Sequence, residues 1–194
     1  MALEGHYPGT WTRSVNLVTT EEKRLLLNDL DVLLCSFALQ FGFAGGGIHS
    51  EPGSAAEYVC LPPDPNYVKT SGAGGGHMYG GEFQTNFFGS HANAEDVPCA
   101  LCRTHQATSV IMIPGKNSCY TGWKVEYHGY LASGYYGHNV ATAYVCIDNN
   151  PEYIMGGVDR HYGKLFYGVI SKCGSLKCPP YIDSYPLTCV VCSK

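Results

Sequence analysis

The fold turns on two short stretches, Leu187-Thr188-Cys189-Val190-Val191-Cys192 (LTCVVC) and the earlier Val97-Pro98-Cys99-Ala100-Leu101-Cys102 (VPCALC). A CxxC is ambiguous alone: half of a zinc site, a redox pair, or two separate disulfide anchors. Compact zinc ribbons separate their two CxxC pairs by roughly 15–20 residues, whereas Cys102 and Cys189 are 87 positions apart. A thioredoxin-like redox pair needs a helix N-terminus within a βαβ pattern, and LTCVVC is a strand-like run. The disulfide reading is the one that employs all ten cysteines, at positions 35, 60, 99, 102, 119, 146, 173, 178, 189 and 192.

The two CxxC stretches close two similar segments. Residues 42–68 (GFAGGGIHSEPGSAAEYVCLPPDPNYV) and 129–154 (GYLASGYYGHNVATAYVCIDNNPEYI) share an order. Each runs Gly-aromatic, a small glycine-rich stretch, Tyr-Val-Cys, then Pro-x-Tyr-aliphatic. Gly42 lies 18 positions before Cys60 and Gly129 lies 17 before Cys146; Cys60 to Pro65 and Cys146 to Pro151 are both 5. The order reads as a tandem duplication, with a first repeat at 35–105 and a second at 106–194, each expected to be a small subdomain with its own core.

The class is mostly β. Runs at 109–113 (SVIMI), 123–131 (WKVEYHGYL), 142–147 (TAYVCI), 164–170 (KLFYGVI) and 187–192 are β-branched and aromatic, bounded by Gly, Pro, Asn and Asp. Only residues 19–34 look helical, where Thr19 and Glu22 have capping-box spacing before a leucine-rich run. The glycine-rich 71–83 (SGAGGGHMYGGEF) lacks a phosphate-loop register and reads as a flexible loop.

Composition narrows the function. A net charge of −4 and a pI near 6.0 argue against a nucleic-acid groove. The apolar run 25–43 is broken by Asn28, Asp29 and Asp31 and makes a poor membrane span. Ten cysteines point to an oxidising, extracellular setting. Residues 1–18 carry no signal-peptide pattern, so the secretion signal is expected upstream of this stretch.

No catalytic constellation stands out, and no enzyme activity, cofactor or metal is expected. HExxH and G-x-S-x-G are absent, and none of the eight histidines has a tight metal-ligand spacing with another. His49 and His138 occupy roughly corresponding places in the two repeats; a lone loop histidine is ordinarily a solvated side chain. The tyrosines of 127–139 (YHGYLASGYYGHN) leave a sugar-stacking surface open as an alternative, although packing of amphipathic rings accounts for them equally.

Three residues of extended chain separate the members of a CxxC too far for them to bridge to each other, so each needs its own upstream partner. In the second repeat the candidates are Cys119 and Cys146, with Cys173 and Cys178 able to close a local loop; in the first they are Cys35 and Cys60.

CYTGWKVEYHGY (119–130), YVCIDNNPEY (144–153), CGSLKC (173–178), the terminal LTCVVC, EYVCLPPDPNYV (57–68) and DVPCALC (96–102) together resemble the sponge-type short-chain collagens. Their non-collagenous domain is similar to the duplicated C-terminal domain of type IV collagen, and the resemblance covers roughly residues 37–194. It implies the pairs Cys119–Cys192, Cys146–Cys189, Cys173–Cys178, Cys35–Cys102 and Cys60–Cys99. It also implies an extracellular-matrix module that self-associates by strand exchange or joins other matrix proteins. The chain departs from the pattern in places. The first repeat has no local pair, Cys35 lies 7 positions before Gly42 whereas Cys119 lies 10 before Gly129, residues 1–34 match nothing in the family, and no Gly-X-Y run is present.

Overall fold

A computed structural model describes residues 38–68, 75–102, 107–155 and 163–194. The helix expected at 19–34 lies outside the described residues. Among those described the chain is mostly β, with no helix.

Nine strands follow in order: β1 (Ala38–Gly46), β2 (Val59–Leu61), β3 (Tyr79–Phe83), β4 (Pro98–Cys102), β5 (Val110–Pro114), β6 (Lys124–Ser133), β7 (Val145–Asp148), β8 (Lys164–Gly168) and β9 (Thr188–Ser193). Hydrogen bonding links them in the order β2-β1-β3-β8-β6-β9-β5, with β4 also on β1 and β7 also on β6. All pairings are antiparallel but one: β3 runs parallel to β8, with Gly81 opposite Lys164 and Phe83 opposite Phe166. β9 is buried along most of its length because β5 flanks one side and β6 the other. A strand so enclosed suits the uninterrupted apolar Cys-Val-Val-Cys run.

One register occurs twice. β1 sets Gly42 opposite Cys99 and Ala44 opposite Cys60; β6 sets Gly129 opposite Cys189 and Leu131 opposite Cys146. Gly46 faces Tyr79 as Ser133 faces Tyr167. Each long strand also carries an irregularity at the same point of its ladder, between Ala38 and Gln40 and between Val125 and Tyr127. The Gly-aromatic pair that opens both segments has a steric origin: a Cβ on Gly42 would overlap the carbonyl of Leu61, and one on Gly129 that of Ile147.

Two sequence expectations differ from this structure. Separate cores were expected, yet the larger apolar cluster joins Ala44, Tyr58, Phe83, Phe88 and Val97 to Ala132, Ile147 and Phe166. The cause is the parallel β3–β8 contact, which brings the rings of Phe83 and Phe166 to 6.0 Å. Strands of three to five residues bury too little alone and share one interior. A smaller cluster, including Tyr127, Leu131, Cys146, Cys189 and Val191, belongs to 107–194 alone.

The second difference is the glycine-rich loop, whose residues 79–83 form β3. Gly81 is needed there because a Cβ would press on the Phe166 ring and on Ala44. Close approach between strands, not turn formation, places this glycine.

Candidate functional site

Eight of the cysteines expected to act as clasps are bonded in four pairs, two of which join strand to strand. Cys60 (β2) is bonded to Cys99 (β4), and Cys146 (β7) to Cys189 (β9), with Cα atoms 5.7 Å apart in both. Cys119 is bonded to Cys192 at 6.0 Å, and Cys173 to Cys178 at 5.8 Å. Cys189 and Cys192, three apart on one strand, point to opposite faces of β9, so each meets a different partner. Both are fully buried. Cys35 and the side chain of Cys102 lie outside the described residues, and with them the Cys35–Cys102 pair.

A second group of residues gathers where the connection after β1 meets the connection after β6. The amide of Ala143 donates to the carbonyl of Ala56 at 3.2 Å, and Asn139 Nδ2 donates to the carbonyl of Ser50 at 3.5 Å. The amide of His49 donates to the Gly163 carbonyl at 3.3 Å, anchoring this junction to the start of β8. The imidazoles of His49 and His138 lie with centroids 4.6 Å apart. Tyr135 stands 5.2 Å from His138, 5.4 Å from Tyr167 and 4.4 Å from Tyr136, whose ring is 93% exposed. The Tyr135 hydroxyl donates to that of Tyr136 at 3.1 Å.

Burial, and then the neighbouring His49 ring, pulls the pKa of His138 below its ordinary value and so favours the neutral imidazole. The phenol of Tyr135 is pushed up, mainly by its hydrogen bond to Tyr136. The arrangement can stack a planar or apolar face on Tyr136 and offer neutral nitrogens and hydroxyls beside it.

Beneath the junction lies Lys164, a buried lysine on β8. Its ammonium donates to the carbonyls of Ala55 (3.3 Å) and Ala56 (3.0 Å) and sits 4.9 Å from the centre of the Tyr58 ring. Desolvation lowers its pKa, opposed by the charge of Glu57. Tyr58 in turn donates to the Leu165 carbonyl at 3.4 Å.

The sequence placed Tyr135, Tyr136 and His138 in one loop and paired His49 with His138 by position. It did not bring Tyr167 or Lys164 to them, because both lie in a run that reads as a strand and reach the junction through the sheet.

Elsewhere, Gly115, Ser171, Tyr181, Ile182, Tyr185 and their neighbours line a shallow cleft of about 330 Å³ beside β9. The connection 169–187 forms most of its wall. Among the described residues no helix is long and apolar enough to cross a membrane. Comparison with models of protein families, with curated proteins and with solved structures returns no match to this chain.

Proposed function

We propose that the chain is a secreted, disulfide-clasped, duplicated β module that assembles with copies of itself in an extracellular matrix. It would be of the kind found at the non-collagenous end of sponge-type and type IV collagens. The twice-used register of β1 and β6 supports the duplication, and four disulfides support an oxidising compartment.

The observation that carries assembly is an asymmetry between equivalent positions. Phe43 on β1 and Tyr130 on β6 hold the same place in the register, next to Gly42 and Gly129. Tyr130 is covered by Phe87, which reaches it from the connection 84–97. Phe43 is 46% exposed and Phe41, two residues back on the same face, is 52% exposed. The connection equivalent to 84–97 is 169–187, which carries Ile182 and Tyr185 exposed to solvent. A head-to-tail contact, with 169–187 of one copy over Phe41 and Phe43 of the next, would repeat between chains what Phe87 and Tyr130 do within one. Sedimentation of the wild type and of Phe43→Ser tests this: an oligomer that the substitution weakens supports it, and a wild-type monomer refutes it.

A second reading, carbohydrate binding, is favoured by the exposed, tilted Tyr135–Tyr136 pair beside His138 and Tyr167. Aromatic faces with flanking polar groups suit sugar rings. A broad glycan array probed with folded protein distinguishes it, and silence across the array removes it.

A further inference from the structure

His49 and His138 come from different connections, and both bury Nδ1 without a hydrogen-bond partner among the described residues. Buried polar atoms are nearly always paired, so two orphans in adjacent rings call for a common explanation. We propose that the pair binds a transition-metal ion of the copper(II) or zinc(II) type between the two imidazoles.

The spacing fits. Imidazole nitrogens about 2.0–2.1 Å from one ion, in adjacent coordination positions, hold their ring centroids about 4.5–5 Å apart; these stand at 4.6 Å. The two connections that carry the rings are joined through Ala143 to Ala56 and Asn139 to Ser50, and the His49 backbone is tied to Gly163. Neutral imidazole is a preferred ligand of copper(II), nickel(II) and zinc(II). Among the described residues no group of three or more His, Cys, Asp or Glu side chains gathers as a metal site. Copper(II) binds more tightly than zinc(II), as the general order of divalent affinities requires. Because one histidine follows β1 and the other follows β6, a bound ion ties together the two connections that meet at the junction. The inference does not depend on the matrix reading above.

The test adds each metal ion alone to the intact, oxidised chain. Substoichiometric copper(II) is expected to broaden the imidazole resonances of His49 and His138 before those of His77, His91 and His128. Excess zinc(II) is expected to raise the thermal unfolding midpoint of the wild type but not of His138→Gln. Equal or earlier broadening of His77, His91 or His128 overturns the proposal, and so does an undiminished rise in the variant. Should His138→Gln fail to fold, the resonance measurement on the unaltered chain decides the matter.

Discussion

The ring of Phe87 stands edge-on to that of Tyr130, centroids 4.9 Å apart and planes 69° from parallel. Phe87 also lies over Gly168, where a Cβ would press into the ring at 2.7 Å. This contact carries the connection after β3 onto β6 and β8. Phe87→Ala should therefore cost about 1–2 kcal/mol, less than a fully buried phenylalanine because the ring is partly exposed. Equilibrium denaturation under oxidising conditions measures it, and an unchanged midpoint would contradict the role given to this ring.

Gly42 and Gly129 provide a sharper steric test. A methyl group at either position overlaps a backbone carbonyl, which cannot swing aside as a side chain can. Gly129→Ala, at a buried position, is expected to lose about 3 kcal/mol or more. Gly42→Ala should behave alike. Gly53→Ala, where nothing lies within 4 Å, serves as the control and should be close to neutral.

These glycines show what the sequence could and could not reveal. The order Gly-aromatic, Tyr-Val-Cys and CxxC was visible because the pairing partners of β1 and β6 each impose a local residue type. The strand runs after residue 109 were equally plain, since β-branched and aromatic residues alternate there between turn formers. β3 reads as a loop because Gly80 and Gly81 resemble one, and the reason for Gly81 lies across the sheet in Phe166 and Ala44. The parallel β3–β8 contact and the approach of Tyr167 to His138 were invisible for a related cause. Gly81 and Lys164 are 83 positions apart and His138 and Tyr167 are 29 apart, and such contacts leave no periodic trace in either segment.

The disulfides should differ in worth according to the chain they enclose. Cys146–Cys189 spans 43 positions and Cys173–Cys178 only 5. In the chain-entropy model the first contributes about 4 kcal/mol and the second about 2 kcal/mol. Paired alanine substitutions followed by urea denaturation compare them. The Cys146/Cys189 variant is expected to be the less stable, the more so because both sulfurs are buried. Equal losses would argue against loop closure as the source.

Acid should loosen the connection 171–185. Asp183 accepts the Cys173 amide at 2.9 Å and the Ser184 hydroxyl at 2.9 Å, with Lys172 3.6 Å away. The Cys173 amide bond is the main cause holding its pKa below the ordinary 3.8, with Ser184 and Lys172 adding to it. A depressed carboxyl stabilises the fold above its unfolded value and loses that contribution as pH falls through the folded one. The Cys173 amide resonance should hold steady above pH 4 and shift at lower pH, and Asp183→Asn should abolish the shift. A titration centred above 3.8 would contradict the assignment.

The central claim is assembly through the exposed β1 face. Light scattering of the oxidised wild type across a wide concentration range tests it most directly. The account predicts a mass that is a multiple of the 21.0 kDa chain, reduced in Phe43→Ser. A monodisperse monomer at the highest concentration, with all disulfides intact, would contradict it.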